Sequence, residues 1–267
     1  MGYIIKTEPH THTMVSHHAF NTMQEMIYAA EAKGIELIAF TDHGPDLRVT
    51  ADLLGYEKRD TVFYDGAHPW HFNNLKALPR RVGSLYVIRG AETNIIDYNG
   101  TVDLPNTILK KMDWVIASIH RPCLNPGTID DHTNAYIKAL ENPYVDAIGH
   151  SGLAKFPYDI DAVLETAKRL DKVIELNNHS FITRPASVEN CKKIARRCAE
   201  LGVKVILSTD AHSIYELGNV EKAAAIAQEA GIKQEQIINE NAEKFLTHIC
   251  NRRGVDRSIF ENTNPGE

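Results

Sequence analysis

The sequence predicts an α/β fold in which parallel strands, covered by helices, close into a barrel. Short apolar segments, such as residues 35–40 and 173–176, alternate along the 267-residue chain with segments whose apolar residues recur at helical spacing. Continuously apolar strands separated by helices are typical of a parallel sheet buried on both faces. About seven such units favour a single barrel domain, in which functional residues lie at the carboxyl ends of the strands.

The individual elements follow from periodicity and from helix-ending residues. Strands are expected near residues 3–8, 35–40, 84–90, 114–119, 145–149, 173–176 and 203–207. Helices are expected near residues 22–34, 105–112, 130–141, 161–170, 187–201, 219–230 and 241–251, with a further one within 68–81. Gly34 and Gly202 are expected to end their helices. The domain is expected to span residues 1–251, followed by a frayed C-terminal tail at 252–267.

A long irregular segment is expected after the second strand, up to about residue 67. Loops of this length often serve as lids over a functional site.

Composition excludes several functional classes. The formal net charge is −6 and charged residues make up 24% of the chain, so we expect no nucleic-acid or membrane-surface partner, because such binding needs concentrated Lys and Arg. No apolar run approaches the length of a membrane span or of a signal peptide, and a cytoplasmic location is expected. The four cysteines form no C-x-x-C pair, and Cys191 and Cys198 are expected to be buried thiols on one helix.

Metal-binding side chains recur at the predicted strand ends. His10 and His12 are two apart at the end of the first strand, so both rings point to one side. Further candidates follow at or near later strand ends, namely His18, His43, Glu92, His120, His150, Asp210 and His212. A catalytic zinc ion takes about three protein ligands, so nine such groups fit three metal ions. A multinuclear site with a bridging oxygen favours hydrolysis of a phosphoryl group.

The motif series H-x-H, T-D-H, G-x-E, S-x-H, G-H-S and S-T-D-A-H resembles that of the PHP (polymerase and histidinol phosphatase) phosphoesterases. The similarity extends over nearly the whole chain and includes the segments at 67–72, 174–181 and 190–196. It implies a distorted seven-stranded, TIM-like (β/α)7 barrel with three divalent metal ions, zinc first and manganese or iron as alternatives. It also implies a homo-oligomer, with a trimer as the expected state.

The resemblance implies a role for each candidate ligand. The first metal ion would be bound by His10, His12, Asp210 and the bridging Glu92. The second would be bound by His18, His43 and His212, with His17 as the alternative to His18. The third would be bound by His120 and His150, which share Glu92. The implied reaction is hydrolysis of a small phosphorylated metabolite by a metal-bridging hydroxide.

Other residues are candidates for catalysis or substrate binding. Asp42 could protonate the leaving group or could orient a ligand imidazole. Arg121, Lys155 and Arg184 lie in strand-end loops and could bind phosphate, although most Lys and Arg are plain surface charges. Asn177 could face the site.

Several remaining polar and aromatic residues allow two interpretations. The cluster His68, Trp70, His71 and Phe72 could form a lid wall or a satellite core. Asn178 could face the site or satisfy backbone groups at a turn. His179 is expected to point outward, and His132 and His248 are expected to be structural or exposed.

Three alternatives to a general phosphatase stay open at this point. A histidinol phosphatase is a narrower version of the same reaction, and the sequence does not identify the alcohol. An amidohydrolase-type barrel also begins with H-x-H, but it usually carries fewer histidines and a lysine or carboxylate bridge at strand four. A non-catalytic PHP module associated with a polymerase often lacks ligands that are all present here. The motifs T-D-H, G-x-E and the late D-x-H favour the phosphoesterase.

Overall fold

The computed structural model describes residues 2–45, 66–121 and 123–264. The strands are β1 (Thr7–Thr11), β2 (Leu37–Phe40), β3 (Arg81–Val82), β4 (Leu85–Asn94), β5 (Trp114–Ser118), β6 (Ala147–Ile148), β7 (Val173–Asn177) and β8 (Val205–Ser208). The α-helices are α1 (Met23–Ala32), α2 (Pro69–Asn74), α3 (Asn106–Leu109), α4 (Ile129–Glu141), α5 (Ile160–Arg169), α6 (Ser180–Thr183), α7 (Val188–Leu201), α8 (Glu221–Ala230) and α9 (Ala242–Arg253). Short 3-10 helices span Leu75–Ala77, Pro185–Ser187, Gln234–Gln236 and Arg257–Glu261.

Seven parallel strands form the predicted barrel. Their order is β1-β2-β4-β5-β6-β7-β8, and the short β3 pairs antiparallel with β4. The barrel closes where Thr11 bridges Ala211 and where the His12 amide donates to the Ala211 carbonyl at 2.8 Å. The strand β6 has only two residues, so the barrel is distorted as expected.

Local sequence signals begin and end the helices. Thr22 and Glu25 form a capping box at α1, and Thr128 and Asp131 form another at α4. Gly202 ends α7 in a left-handed conformation with a φ of 71°, which glycine adopts without steric cost. These caps fix the helix ends close to where the sequence predicts them.

The two ends of the barrel differ in character. Helix α9 packs across one end, where Phe245 contacts Trp114 with a ring-centroid separation of 4.9 Å. Apolar strand residues such as Ile116 and Ile206 belong to the same cluster. Helices α4, α5, α7 and α8 bury their apolar faces, including Cys191 and Cys198, against the outside of the barrel. The carboxyl ends of the strands are left for polar side chains.

The first strand lies further along the chain than predicted. The apolar residues Tyr3, Ile4 and Ile5 indicate a strand at 3–8, but β1 is the polar segment Thr7–Thr11, and Ile4 is 68% exposed. The polar strand is stable when buried because partners distant in the sequence satisfy it. The Thr7 hydroxyl donates to the Asn239 carbonyl at 2.6 Å, for example.

The prediction of a frayed tail is wrong for the part of it that the structure describes. Helix α9 continues to Arg253, and the 3-10 helix Arg257–Glu261 inserts the fully buried Phe260 into the cluster under the barrel. One buried aromatic residue is enough to hold this segment, and a sequence pattern rarely reveals a single anchor. The domain boundary at residue 251 stays a prediction.

The long irregular segment predicted before residue 67 lies largely outside the described residues. Among the helices of the described ranges, none is both long enough and apolar enough to cross a membrane.

Candidate metal centre

The structure brings all nine predicted strand-end groups together. The imidazole nitrogens meet in pairs: Nε2 of His10 lies 3.1 Å from Nε2 of His12, and Nε2 of His120 lies 3.2 Å from Nε2 of His150. Nε2 of His18 lies 2.8 Å from Nε2 of His212. Such convergence follows from the barrel, because parallel strands deliver their carboxyl-terminal residues to one face.

Glu92 lies at the centre of this cluster at the end of β4. Its Oε1 is 2.9 Å from Nε2 of His150, and its Oε2 is 2.7 Å from Nδ1 of His43 and 3.4 Å from Nε2 of His10. Burial alone would raise the pKa of this carboxyl, but the surrounding imidazoles lower it well below its ordinary value. Glu92 is therefore an ionised, fully buried group that touches histidines from several strands.

Asp210 completes the acidic part of the cluster from the end of β8. Its Oδ1 lies 3.1 Å from Nε2 of His12, and the neighbouring imidazoles lower its pKa well below the ordinary value against the effect of burial. Burial also lowers the pKa of His12 well below its usual value, and the nearby His43 and His212 add to that effect. Glu92 and Asp210 are thus held ionised and His12 is held neutral, and these are the protonation states that metal ligands require.

The geometry fits divalent metal ions. Oε2 of Glu92 and Oδ1 of Asp210 are buried without a well-directed hydrogen bond from the described residues, although imidazole nitrogens lie nearby. Ligand atoms within 4.8 Å of one another form three overlapping groups, namely His12–His43–His212, His10–His12–Glu92 and His43–Glu92–His120. Nitrogen and carboxylate oxygen donors suit zinc, manganese and iron.

A second layer of polar groups orients the imidazoles. Glu175 Oε1 lies 2.5 Å from Nδ1 of His10, and Asn94 Oδ1 lies 2.6 Å from Nδ1 of His120. The Asp210 carbonyl is 2.8 Å from Nδ1 of His212. Because these acceptors take the Nδ1 proton, Nε2 keeps its lone pair and faces the cluster.

Glu175 is not among the residues predicted from the sequence, although the sequence carries a signal for it. Glu175 is a charged residue within the strand β7, which is otherwise apolar up to Leu176. Besides His10, it accepts from the Ser208 hydroxyl at 2.6 Å and from the His150 amide at 2.7 Å. A carboxylate in the middle of a buried strand indicates a partner nearby.

Backbone geometry also adapts to the centre. His150 and Asp210 have positive φ angles of 23° and 55°, in a region that non-glycine residues rarely adopt. The lack of a side chain at Gly149 lets its backbone lie close to Ser118, because a Cβ atom at Gly149 would lie 2.2 Å from Oγ of Ser118. That hydroxyl donates to Oε1 of Glu92 at 2.6 Å. Strained backbone and close approach of this kind are typical of functional sites.

Asp42 is buried beneath the centre and is fully engaged. It accepts from the Thr13 amide at 2.7 Å and from the Ser16 hydroxyl at 2.8 Å, and Nε2 of His71 lies 3.3 Å away. Burial would raise its pKa, but His71 and the other donors lower it below the ordinary value. Ser16 Oγ in turn lies 3.1 Å from Nδ1 of His12. These contacts favour the orienting role of Asp42 over the role of a proton donor.

An open cavity of about 600 Å³ adjoins the cluster. The predicted phosphate-binding residues Arg121, Lys155 and Arg184 all line it. His18 lines it as well, whereas the exposed His17 is not among its lining residues. The cavity gives a substrate access to the side of the cluster formed by His120, His150 and His212.

The candidates around the second helix have different roles. His68 caps α2 by accepting from the Trp70 amide, and Trp70 is 66% exposed. His71 reaches Asp42, whereas Phe72 is buried in the large core cluster. Of these four residues, His71 is therefore connected to the site, whereas His68 and Phe72 have structural roles.

The histidines outside the cluster also differ from one another. His179 lines the cavity, with its ring centroid 5.8 Å from that of His212, so the expectation that it points outward is wrong. The short helix α6 starts directly after it. His132 and His248 are buried in α4 and α9, in agreement with a structural role.

The two asparagines after β7 have different roles as well. Asn177 donates to Oδ2 of Asp210 at 3.0 Å, as expected for a residue facing the site. Asn178 instead accepts from the Lys222 and Ala223 amides at 3.0 and 3.1 Å, so it satisfies the backbone at the start of α8.

The fold and the site define a class: α/β barrels with a histidine-rich candidate metal centre at the carboxyl ends of their strands. Residues 8–180 match the family model described as the PHP domain, and the chain belongs to this family.

Relatives cover almost the whole chain. A protein of Acetivibrio thermocellus named "Probable phosphatase" is 40% identical over 253 residues, which is 95% of this chain and 98% of the relative. A probable phosphatase of Clostridium botulinum is 37% identical over 252 residues, which is 94% of this chain and 96% of the relative.

A solved structure shares the fold. It is the histidinol phosphate phosphatase of Lactococcus lactis complexed with zinc, L-histidinol and phosphate, with a TM-score of 0.51 and 15% identity. The alignment covers 86% of this chain and 95% of that chain.

Proposed function

We propose that this chain is a metal-dependent phosphatase that hydrolyses phosphomonoesters at a centre of three divalent metal ions. The observation that carries the proposal is the convergence of seven imidazoles and two carboxylates from separate strand ends into one cluster. The relatives named as probable phosphatases, at 37–40% identity over most of the chain, support the reaction class.

The proposed ligand sets follow the partition that the family resemblance implies. One ion would be bound by His10, His12, Asp210 and Glu92, and a second by His18, His43 and His212. The third would be bound by His120 and His150 together with Glu92. The contact of His18 with His212 supports His18 rather than His17 as the ligand. Zinc is our first choice, and manganese or iron would suit the same donors.

Divalent ions in such a centre supply a nucleophile from water near neutral pH and stabilise negative charge on the phosphoryl group. The protein's own contribution is to hold the Glu92 and Asp210 carboxylates ionised and to orient the imidazoles. Glu175, Asn94 and the Asp210 carbonyl hold the Nδ1 atoms of three imidazoles, so that their Nε2 atoms face the cluster. The cationic residues Arg121 and Lys155 at the cavity would attract an anionic substrate.

The solved structure does not identify the alcohol portion of this chain's substrate. At 15% identity, the likeness to the histidinol phosphate phosphatase concerns the fold. We expect a small phosphorylated metabolite, because the cavity of about 600 Å³ has the size of a small-molecule site. A homotrimer, a cytoplasmic location and the lack of a nucleic-acid partner stay predictions.

Metal analysis combined with a phosphatase assay tests the proposal. Purified protein should contain about two to three equivalents of transition metal and should hydrolyse an aryl phosphate after reconstitution with zinc or manganese. Glu92→Ala should lose both metal and activity, whereas Glu229→Ala, which removes an exposed glutamate of α8, should lose neither. A reconstituted, folded wild-type protein without phosphatase activity would overturn the proposal.

A further inference from the structure

One side of the cavity is cationic. Arg121 follows β5, Lys155 lies in the loop after β6, and Arg184 directly follows the short helix α6 after β7. The strands β5, β6 and β7 are consecutive neighbours in the barrel. Three cationic side chains therefore come from adjoining loops beside His120 and His150.

Within the described ranges, no carboxylate oxygen forms an ion pair with Arg121, Lys155 or Arg184, although a hydroxyl contact joins Arg184 to Ser180 at 3.3 Å. The described carboxylates that line the cavity are Asp210, which belongs to the metal centre, and Glu216.

The Glu216 carboxylate already accepts hydrogen bonds from its own loop. It accepts from the His212 amide at 2.7 Å and from the Ser213 amide at 3.0 Å, and His179 lies 3.8 Å from it. Among the described residues, no carboxylate therefore neutralises Arg121, Lys155 or Arg184, and their positive charge can attract a ligand.

The remaining walls leave room beyond a phosphate group. Leu153 and Ala154 line the cavity with accessible apolar surface, and Phe20, 80% exposed, lines it from the loop after β1. The volume of about 600 Å³ is far larger than one phosphate requires. An alcohol portion can lie over the apolar walls while a further charged group reaches the three cations.

Building on the proposed function, we infer that the preferred substrates are phosphomonoesters whose alcohol portion carries a second anionic group. Arg121, Lys155 and Arg184 bind that group, a carboxylate or a second phosphate, while the metal centre binds the scissile phosphate. Arginine forms paired, charge-assisted hydrogen bonds with either anion. A cationic alcohol is disfavoured because it would be brought close to these three positive charges.

Matched substrate pairs test this inference on the metal-loaded enzyme. The pairs are 3-phosphoglycerate with glycerol 3-phosphate for a carboxylate, and fructose 1,6-bisphosphate with fructose 6-phosphate for a second phosphate. Phosphoethanolamine supplies the cationic alcohol. We expect kcat/KM to be about tenfold higher or more for the anionic member of at least one pair and lowest for phosphoethanolamine. A preference for the anionic member in the first pair alone identifies the second group as a carboxylate. A preference in the second pair alone identifies it as a phosphate.

Two single variants assign the preference to the cationic wall. Lys155→Ala and Arg184→Ala should each reduce the anionic-to-neutral ratio of kcat/KM severalfold, whereas Lys110→Ala, which removes an exposed cation outside the cavity, should keep it. Equal kcat/KM values within both pairs would overturn the inference even if an aryl phosphate is hydrolysed. If no phosphomonoester is hydrolysed, the proposed function fails. The inference is then judged by calorimetric affinities for the same pairs, and equal affinities overturn it.

Discussion

Glu175 Oε1 lies 2.5 Å from Nδ1 of His10, and both side chains are inaccessible to solvent. Burial would raise the pKa of Glu175, but the adjacent His10 lowers it below its ordinary value. The contact fixes which nitrogen of His10 carries the proton and turns Nε2 toward His12 and Glu92. A carboxylate that orients a ligand imidazole also makes that imidazole a stronger base.

Replacing Glu175 with glutamine should weaken metal binding. The amide keeps an acceptor oxygen but removes the charge, so we expect zinc affinity to fall by about tenfold or more. Competition with a chromogenic chelator measures the affinity, and Glu165→Gln, at an exposed position on α5, is the matched control. A folded Glu175→Gln protein with wild-type zinc affinity would show that this carboxylate does not support the centre.

Gly149→Ala should displace the Glu92 carboxylate indirectly, through Ser118. The added Cβ would lie 2.2 Å from Oγ of Ser118, which holds Oε1 of Glu92, so that hydroxyl must move. We expect kcat/KM for an aryl phosphate to drop by about tenfold or more, since misplacement by 1 Å can cost that much. Steady-state assays would measure the loss. Gly2→Ala, where a Cβ meets nothing within 4 Å, should behave as wild type. Unchanged activity in Gly149→Ala would refute the proposed tight packing.

Phe260→Ala should destabilise the whole barrel. The ring is fully buried with Trp114 and Phe245 under the barrel, so truncation should lower the free energy of unfolding by about 3–5 kcal/mol. Val255, exposed in the preceding turn, is the control, and Val255→Ala should change stability by less than about 0.5 kcal/mol. Urea denaturation measures both variants. A Phe260→Ala protein as stable as Val255→Ala would mean that the C-terminal segment contributes nothing to the fold.

The titration of His248, which is remote from the metal centre, should make the free energy of unfolding depend on pH. Burial, with the neighbouring Lys204, lowers its pKa from 6.5 to about 4. Between these pH values the unfolded chain binds a proton that the folded chain does not, so the free energy of unfolding falls as the pH is lowered through this window.

The variant His248→Leu removes this titration. Relative to wild type, its stability should improve progressively as the pH falls from about 7 to 4.5, as measured by urea denaturation at each pH. A stability difference between the two proteins that stays constant with pH would contradict the assignment.

The sequence predicts which histidines and acids meet in the cluster because two simple rules apply. Apolar periodicity locates the strands, and the barrel places residues such as His120 and His150 at one end of them. Neither rule requires knowledge of which side chains touch.

The supporting contacts were less predictable because they join strands that are distant in the sequence. Glu175 meets His10 across 165 positions, and Thr7 meets Asn239 across 232. For the same reason, the apolar residues at 3–5 predict the first strand at the wrong position. The burial of the observed strand depends on such remote partners. The inward position of the His179 ring, near His212, likewise involves a residue distant in the sequence.

Anomalous diffraction at the zinc edge, on crystals of zinc-loaded protein, tests the metal centre most directly. We expect three anomalous peaks within the cluster. One should lie among His10, His12 and Asp210, one among His18, His43 and His212, and one beside His120 and His150, with Glu92 contacting the first and third. A cluster that holds no zinc, or a single ion, in crystals of active and fully loaded protein would contradict the three-metal centre.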